Sequence, residues 1–330
     1  MSERALPAPR GLDNVWPRLR RSGALLAFAA LLLLNAAITP HFLSAQTLNV
    51  NLTQVAPVVI VAVGMTLVIA TGGIDLSVGS LMAIAGQLAP LIFAGALVPV
   101  PTAAVGIALG LVLPVIAVGM LGWLNGFVIT RYRIQPIVAT LVLYIAGRGI
   151  AQVMTNGNLQ TFDAPAFAYI GTGRPFGVPF QALLMLATVA GGAFLLHRTL
   201  LGRRILAVGG NERAARLSGI PVARVKRTVY ALSGAAAGVA GLVTIAINGS
   251  SDANLVGMGM ELDAIAAVAV GGTLLAGGRA TVLGTLVGAA IIQLVRTTLI
   301  ANGVPDAAAL VVKAGLIVVA VWVQRQGARS

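Results

Sequence analysis

Long apolar stretches recur along this chain from its N-terminal third to its C-terminal end, and they restrict the fold more than any other feature. A helix needs about 20 apolar residues to cross the roughly 30 Å hydrocarbon core of a bilayer. Charged residues make up 9% of the chain and hydrophobic residues 58%, whereas a soluble domain carries about 25% charged residues. The pattern predicts an all-α polytopic membrane protein.

We expect about ten transmembrane helices, with broken or short helices among them, around a central pathway. The first covers about 23–38, and it is expected to stay uncleaved because Thr39, Pro40 and His41 make a poor signal-peptide cleavage site. The other spans are expected at about 50–71, 75–98, 102–129, 136–153, 179–197, 227–247, 262–276, 281–300 and 307–323.

Most of the 22 Lys and Arg residues fall on one face of this ten-helix arrangement. Short loops rich in Lys and Arg stay in the cytoplasm, so both termini are predicted to be cytoplasmic. The predicted divisions are a basic N-terminal arm (1–21), a membrane domain (22–325) with a cytoplasmic loop at 199–226, and a C-terminal tail (326–330). The basic residues on this face lie in the N-terminal arm, at Arg131 and Arg133, in the 198–227 loop, and at Arg279, Arg325 and Arg329.

The stretch from Val58 to Gly86 contains the most informative interruption of an apolar run. Two adjacent glycines, Gly72 and Gly73, relax helical geometry. Asp75 comes next and is placed to act as the N-cap of the next helix. Two interpretations stay open, a tight turn at the membrane surface and a broken helix that lines a polar pathway.

A weak internal echo accompanies this interruption. VAVGMTL at 61–67 and VAVGGTL at 268–274 are similar, and Gly-Gly pairs follow at 72–73 and 277–278. Internal repeats are common in transporters and place the pathway at the interface between the repeats. Chance similarity between glycine-rich apolar helices is the alternative.

Other polar residues within apolar spans are further candidates for the pathway. Arg148 follows an otherwise uncharged span, so it either faces a cavity or partner or extends its side chain to the membrane surface. Amides such as Asn125 and Gln152 either meet a hydroxylated solute or bond neighbouring helices. The predicted path residues are Thr71, Gly72, Gly73, Asp75, Ser77, Asn125, Arg148 and Gln152.

The segment from Leu200 to Lys226 is the longest basic loop. Asn211 suits a helix N-cap, Glu212 follows in the first turn, and Gly219 with Pro221 ends the helix. A helix of about two turns is too short to be stable alone in water. Either a partner grips this helix, or the segment is a solvated basic loop.

Several classes of function are excluded by what the sequence lacks. The chain has no cysteine, so it offers no thiolate ligand or nucleophile. Lys226 and Lys313 both follow valine, so neither belongs to a phosphate-binding P-loop. His41 and His197 are far apart, and we expect no metal site. The basic residues are spread over short loops, so we expect neither nucleic-acid binding nor enzymatic activity in this chain.

Three segments carry a family resemblance: GMTLVIATGGIDLSVGSLMAIAG, IQPIVATLVLYIAGRGIAQ and AVGGNERAARLSGIPVARVKRTVYALSG. Together they resemble the permease subunits of bacterial ATP-binding-cassette sugar importers of the ribose, xylose and galactofuranose branch. The stretches at 64–86 and around Arg148 look most similar to the galactofuranose type. The resemblance covers about 48–322, nearly the full chain.

The resemblance implies a permease in the bacterial inner membrane that forms the path for a monosaccharide, a pentose or furanose sugar such as ribose or galactofuranose. It implies pairing with a second permease copy or a sister permease, and contact with membrane lipid. ATP and Mg would be bound by a separate cytoplasmic ATPase, with no cofactor in this chain. A periplasmic or extracellular sugar-binding protein would dock on outer loops at roughly 155–177, 248–262 and 301–306.

The resemblance also aligns residues 211–220 with the coupling helix that such permeases insert into the ATPase. Arg213, Ala214 and Ala215, with Gly219, stand in place of a glutamate-alanine-alanine-glycine pattern. Arg213 occupies the glutamate position, and the neighbouring Glu212 is the acid nearest to it. The predicted ATPase contacts are Asn211, Glu212, Arg213, Ala214, Ala215, Ser218 and Gly219.

Two alternative functions remain open from the sequence. The first is a secondary transporter coupled to protons or sodium, which needs acids within the membrane. The second is an importer permease for branched-chain amino acids or a signalling furanoside.

Overall fold

The computed structural model describes residues 15–97, 99–305, 307–309, 311–312, 314–315 and 318. The described part is a helical bundle with one pair of two-residue strands. In chain order its elements are α1 (Val15–Ile38), α2 (Ala45–Ala70), α3 (Val78–Phe93), α4 (Ala103–Tyr132), α5 (Pro136–Val153), β1 (Gln160–Thr161), α6 (Pro165–Thr172), a 3₁₀ turn (Pro175–Gly177), α7 (Phe180–Arg198), α8 (Leu200–Gly210), α9 (Glu212–Leu217), α10 (Val222–Asn248), β2 (Ser250–Ser251), α11 (Met260–Val270) and α12 (Val282–Ala301).

Six of the described helices are long and apolar enough to cross a membrane: α2, α4, α5, α7, α10 and α12. Residues Gly23–Ile38 of α1 and the whole of α3 are shorter apolar helices. The prediction of an all-α membrane protein is therefore confirmed. α1 begins at Val15, within the predicted N-terminal arm. Most of the predicted span at 307–323 lies outside the described residues, as do Lys313, Arg325, Arg329 and the predicted tail.

The predicted span at 262–276 is wrong in its length. α11 contains 11 residues, and at 1.5 Å per residue it reaches about 16 Å, roughly half of the hydrocarbon core. It ends because Gly272 adopts a φ of 83°. The N–H groups of Gly272 and Thr273 then bond to carbonyl groups of the last turn at 3.0 and 3.2 Å, which is a Schellman motif.

α10 lies at the centre of the bundle and packs against α2, α3 and α4. Glycines make these contacts possible. A Cβ atom at Gly234 would overlap the carbonyl oxygen of Val118 in α4, and one at Gly241 would lie 2.5 Å from the carbonyl oxygen of Met82 in α3. Lipid supplies no hydrophobic drive for helix association, so close backbone packing of this kind holds membrane helices together.

The two ends of the bundle carry different short elements. Segments α8 and α9 lie between α7 and α10 at one end, which we call the α9 end. At the other end β1 and β2 form an antiparallel pair, with Gln160 opposite Ser251 and Thr161 opposite Ser250. We call this the ladder end. The loops before α6 and after α10 are thus tied together there.

Helix α1 is attached to the bundle through α12. Asn35 is 1% exposed, and its Oδ1 accepts a hydrogen bond of 2.6 Å from the hydroxyl of Thr298 in α12. The Nδ2 of Asn35 donates to the carbonyl oxygen of Leu31, one turn earlier in α1, at 2.9 Å. A buried amide therefore joins the first described helix to the last one with defined bounds.

Candidate functional site

The interruption after α2 begins with a glycine-dependent turn. Gly72 has a φ of 78°, a conformation that glycine adopts without steric cost. Its N–H and that of Gly73 bond to the carbonyl oxygens of Ile69 and Val68 at 2.8 and 3.2 Å. This is the same Schellman motif that ends α11. We call residues 71–77 the first break and residues 271–281 the second break.

The equivalence between the two breaks corrects the register of the internal echo. The sequence pairs the glycines at 72–73 with those at 277–278. In the structure Gly72 matches Gly272 in its φ value and in its hydrogen bonds. The residues at 61–67 lie inside α2, whereas those at 268–274 cross the end of α11. The later Gly-Gly pair instead contacts the first break.

A buried polar cluster occupies the first break. Asp75 is fully buried. Its Oδ1 accepts hydrogen bonds from the backbone N–H and the hydroxyl of Ser77 at 3.0 and 2.6 Å, and its Oδ2 accepts one from the hydroxyl of Ser233 at 2.9 Å. The Ser77 hydroxyl in turn accepts from Asn125 Nδ2 at 3.1 Å. Three of the predicted path residues therefore meet in one network.

The predicted capping role of Asp75 is wrong by two positions. Ser77 is the N-cap of α3, and its side chain makes no capping bond to the helix. The Ser77 hydroxyl is instead directed back to Asp75. Burial explains this choice, because a carboxyl group enclosed at 0% exposure needs donors around it.

Side chains from two further helix positions close the first break. The hydroxyl of Tyr230 in α10 donates to the carbonyl oxygen of Ile74 at 3.2 Å, and the hydroxyl of Thr140 in α5 accepts from the N–H of Leu76 at 3.1 Å. Side chains of neighbouring helices thus satisfy backbone groups that are freed at the break. Tyr230, Ser233 and Thr140 were missed from the sequence, although a polar residue in an apolar span is a signal that could have found them.

Within the first break, Asp75 lies further into the bundle than α9 does. Ser233, which holds Asp75, is about 10 Å further along α10 than Lys226 at the 1.5 Å rise of a helix. Lys226 itself pairs with Glu212 in α9. Thr71 and Gly73 are buried with the cluster, and Gly72 is exposed. The role of these residues in a translocation path stays a prediction.

Arg148 and Gln152 form a separate group near the ladder end. The guanidinium of Arg148 donates to the carbonyl oxygens of Ala253 and Val256 at 2.6 and 2.7 Å. Gln152 Nε2 donates to Asn254 Oδ1 at 2.7 Å. Of the two interpretations of Arg148, the structure favours a protein partner, a loop of backbone carbonyls that the sequence could not identify. The predicted path residues thus divide into two clusters.

Helix α9 forms as the sequence predicts. Asn211 Oδ1 accepts from the N–H of Ala214 at 2.9 Å, which is an N-cap. At the other end Gly219 has a φ of 78°, and its N–H and that of Ile220 bond back to the helix at 3.1 and 3.0 Å. Both signals read from the sequence are therefore confirmed, and they define a helix of six residues.

Charge and burial fix the orientation of α9. Glu212 Oε2 is 2.6 Å from Lys226 Nζ, and its Oε1 is 3.0 Å from Arg216. The Lys226 hydrogen bond is the main cause that lowers the pKa of the Glu212 carboxyl below its usual range. Ala215 is buried at 5% exposure, whereas Leu217 is exposed at 84%. Leu217 therefore forms an apolar tip that projects from the bundle beside Arg213. Leu217 was not among the residues predicted from the sequence.

The segment before α9 is a helix, not the loop that was predicted. Thr199 Oγ1 caps α8 by accepting from the N–H of Gly202 at 3.1 Å. Ile205 and Val208 are buried at 0% and 1% exposure. Their spacing of three positions is a helix signal, but Arg203 and Arg204 beside them favoured the interpretation as a basic loop.

Comparisons with known proteins place the chain in a family. Residues 48–321 match the family model described as "Branched-chain amino acid transport system / permease component". The ribose import permease protein of Escherichia coli strain K12 is 38% identical over 330 residues, covering 99% of both chains. The galactofuranose transporter permease protein of the same strain is 39% identical over 318 residues, covering 92% of this chain and 89% of the relative.

A third relative extends the range of sugars. The L-arabinose ABC transporter permease protein of Azospirillum brasilense is 32% identical over 317 residues, covering 96% of this chain and 91% of the relative. No solved structure matches the chain at a significant level. The family match and the near full-length identities agree with the six apolar helices. The chain is a multi-pass inner-membrane protein that belongs to this permease family of transport systems, together with the ribose and galactofuranose permeases.

Proposed function

We propose that this chain is the membrane-spanning permease subunit of an ATP-driven sugar importer. Its substrate is a monosaccharide, a pentose or furanose sugar, delivered by an external binding protein. Relatives named for ribose, galactofuranose and L-arabinose support the substrate class. They also favour a sugar over the branched-chain amino acids in the description of the family model.

The observation that carries the proposal is the geometry of α9. A helix of six residues is not stable by itself in water, yet here it has caps at both ends and a buried Ala215 that fixes it to the bundle. Leu217 projects from it at 84% exposure. A short helix that is fixed to the bundle and exposes an apolar side chain is suited to bind in a groove on a partner. The partner we propose is a cytoplasmic ATPase that binds ATP and Mg.

The topology is inferred from the charges at the α9 end. Arg131 and Arg133 end α4, and Arg224 lies at the start of α10. Lys and Arg in short loops favour the cytoplasmic side, so the α9 end is cytoplasmic and the ladder end faces outward. The arrangement we propose keeps ten crossings, one of them formed by the short α11 together with the second break, and has both termini inside. The N-terminal arm at 1–21 and the tail at 326–330 are then cytoplasmic.

Exposed apolar side chains on α4 and α5 define the membrane-facing partners. Met120 in α4 and Val142 and Ile145 in α5 are 66%, 64% and 65% exposed. Such a surface is stable only against lipid or another apolar surface. A second permease, either a copy of this chain or a related sister chain, covers part of this apolar surface. The translocation path, which includes the polar first break, runs beside the contact between the two permeases.

Reconstitution tests the function directly. Liposomes that contain this chain with its ATPase, its binding protein and internal ATP should accumulate radiolabelled ribose or L-arabinose, and a proton ionophore should leave uptake unchanged. Liposomes that contain the chain alone should accumulate neither sugar. Accumulation by the chain alone would contradict the proposal and favour an ion-coupled carrier.

A substitution on α9 tests the contact with the ATPase. Leu217→Asp places a charge on the exposed tip and leaves the buried side of α9 unchanged. We expect the variant to fold and to lose copurification of the ATPase. Ala207→Asp, on the exposed face of α8, is the matched control and should keep the ATPase. Full copurification by Leu217→Asp would remove the docking role.

A further inference from the structure

Three segments of the backbone meet at one point, and glycines occupy most of the contact positions. The segments are the end of α2, the end of α8 and the second break. The N–H of Gly278 donates to the carbonyl oxygen of Ala70 at 3.0 Å. The glycines involved, which we call the glycine junction, are Gly72, Gly209, Gly277 and Gly278.

At Gly209, Gly277 and Gly278 these contacts leave no room for a side chain. A Cβ atom at Gly209 would overlap the carbonyl oxygen of Ala70 and lie 2.5 Å from the nitrogen of Gly278. One at Gly277 would lie 2.7 Å from the nitrogen of Gly72. The three backbones therefore touch directly, and a displacement of one segment has no intervening side chain to absorb it.

The glycine junction lies directly beside α9 in the chain. α8 ends at Gly210, and the next residue, Asn211, is the N-cap of α9. Ile205 and Val208 are buried and hold α8 against its neighbours. Only Gly210 separates Gly209 from Asn211, so the connection between the two helices is as short as one non-helical residue. A displacement of α9 therefore acts on Gly209 through two peptide bonds.

The other side of the glycine junction leads to both breaks. Gly72 begins the turn that precedes Asp75 and its hydrogen-bonded partners. Gly277 and Gly278 belong to the second break, which precedes α12. The end of α8 thus contacts the last residue of α2, directly before the first break, and the glycines of the second break.

We infer that the glycine junction transmits displacement of α9 to the two breaks, and that Gly209 is the positioning residue for this transmission. The inference rests on the proposed function, in which α9 is moved by an ATPase. A side chain at Gly209 would separate α8 from Ala70 and break the hydrogen bond between Gly278 and Ala70. Movement of α9 would then no longer reach the membrane helices in full.

Two neighbouring glycines supply the test and its control. A Cβ atom at Gly210 has no atom within 4 Å, whereas one at Gly209 overlaps backbone. Gly209→Ala and Gly210→Ala are compared in liposomes with the ATPase, the binding protein and ATP. Ribose or L-arabinose uptake and ATP hydrolysis are measured together. Uptake by the unchanged importer is measured first. If the unchanged importer takes up no sugar, the proposed function fails; if only the variants behave otherwise than expected, the inference fails.

We expect Gly210→Ala to behave as the unchanged protein. Gly209→Ala should keep the ATPase bound and hydrolysing ATP while uptake falls at least tenfold, so that the ATP consumed per sugar rises tenfold. A role in folding alone would lower both rates together and leave this ratio unchanged. An unchanged ratio in Gly209→Ala would overturn the inference.

A second measurement leaves the glycine junction intact, in case Gly209→Ala does not assemble. The chain has no cysteine, so a thiol-reactive spin label attaches only where a cysteine is introduced. The two positions are Arg203→Cys in α8 and Leu48→Cys in α2. We expect α8 labels in the two permeases to change their separation when ATP is added, while the separation between α8 and α2 within one chain stays the same. A change within one chain, or no movement of α8, would overturn the inference.

Discussion

The first break, at residues 71–77, and the second break, at residues 271–281, open with the same turn but are closed by different groups. Both turns place a glycine at positive φ, 78° at Gly72 and 83° at Gly272. Beyond the turn, the first break is held by side chains from α4, α5 and α10. The second break is held mainly by bonds between its own residues. The hydroxyl of Thr273, for example, accepts a hydrogen bond from the N–H of Thr281 at 3.1 Å.

The comparison shows that the two breaks share a backbone turn but differ in the side chains that surround the residues after it. A Schellman turn requires only glycine and can be placed at the end of any helix. The groups beyond the turn depend on depth and neighbours. The first break, enclosed by other helices, carries a buried carboxyl group with three donors, whereas Arg279 in the second break is exposed. We therefore expect equal sensitivity at the turns and unequal sensitivity beyond them.

The largest effect is expected at Asp75. Asp75→Ala leaves three buried donors without an acceptor, so the free energy of unfolding should fall by about 3 kcal/mol or more. Thr273→Val in the second break leaves one donor and should cost about 1 kcal/mol. The thermal midpoints of the two variants in detergent give the comparison. Asp75→Asn, which keeps one acceptor oxygen, should fall between them, and equal midpoints for Asp75→Ala and Thr273→Val would refute the distinction.

Matched substitutions at the two turns come next in size. Gly72→Ala and Gly272→Ala each force alanine into the left-handed region, which costs about 1–2 kcal/mol. A Cβ atom meets nothing closer than 3.5 Å at either position, so the two losses should be equal. Gly191→Ala in α7, where a Cβ atom also has open space, controls for the added methyl group. If only one turn tolerates alanine, the two turns are not equivalent.

A smaller effect is expected at the start of the helix after each break. Thr281 caps α12 through its hydroxyl, which accepts from the N–H of Gly284 at 3.1 Å. Thr281→Ala should cost about 1 kcal/mol and speed amide exchange at the first turn of α12. Thr281→Ser should restore the cap. In α3 the capping bond is absent and Ser77 bonds Asp75, so Ser77→Ala should disturb the cluster rather than the first turn of α3.

The smallest effect is expected at Arg279. Its side chain is exposed, so Arg279→Ala should change the free energy of unfolding by no more than about 0.5 kcal/mol. The same thermal measurement applies. A large loss would show that the second break depends on one polar side chain, as the first depends on Asp75, and the contrast between the breaks would disappear.

Local signals carried most of what could be predicted. The caps of α9 were predicted correctly because Asn211, Gly219 and Pro221 act on backbone groups within a few residues of themselves. The end of α2 was predicted for the same reason, because the Gly72–Gly73 pair acts on the last turn of that helix. α11 was predicted too long because its apolar pattern continues past Gly271, and only the positive φ of Gly272 ends it.

Partners distant in sequence were beyond such signals. Asp75 stands out in the sequence as an acid within an apolar stretch, but its partner Ser233 is 158 residues away and cannot be chosen from among many serines without the fold. Arg148 meets carbonyl groups 105 and 108 residues later, and a carbonyl has no sequence signature. The glycine junction is a further case, because the contact of Gly209 with Gly278 results from packing alone.

The hydrogen bond between Asn35 and Thr298 has a consequence for biosynthesis. The two residues are 263 positions apart, so at about 5–20 residues per second the ribosome needs roughly 13–50 seconds to produce the second after the first. During that interval α1 is present without α12. Until then the Asn35 amide keeps its hydrogen bond to Leu31 of its own helix, so α1 is synthesised long before the contact that fixes it to the bundle can form.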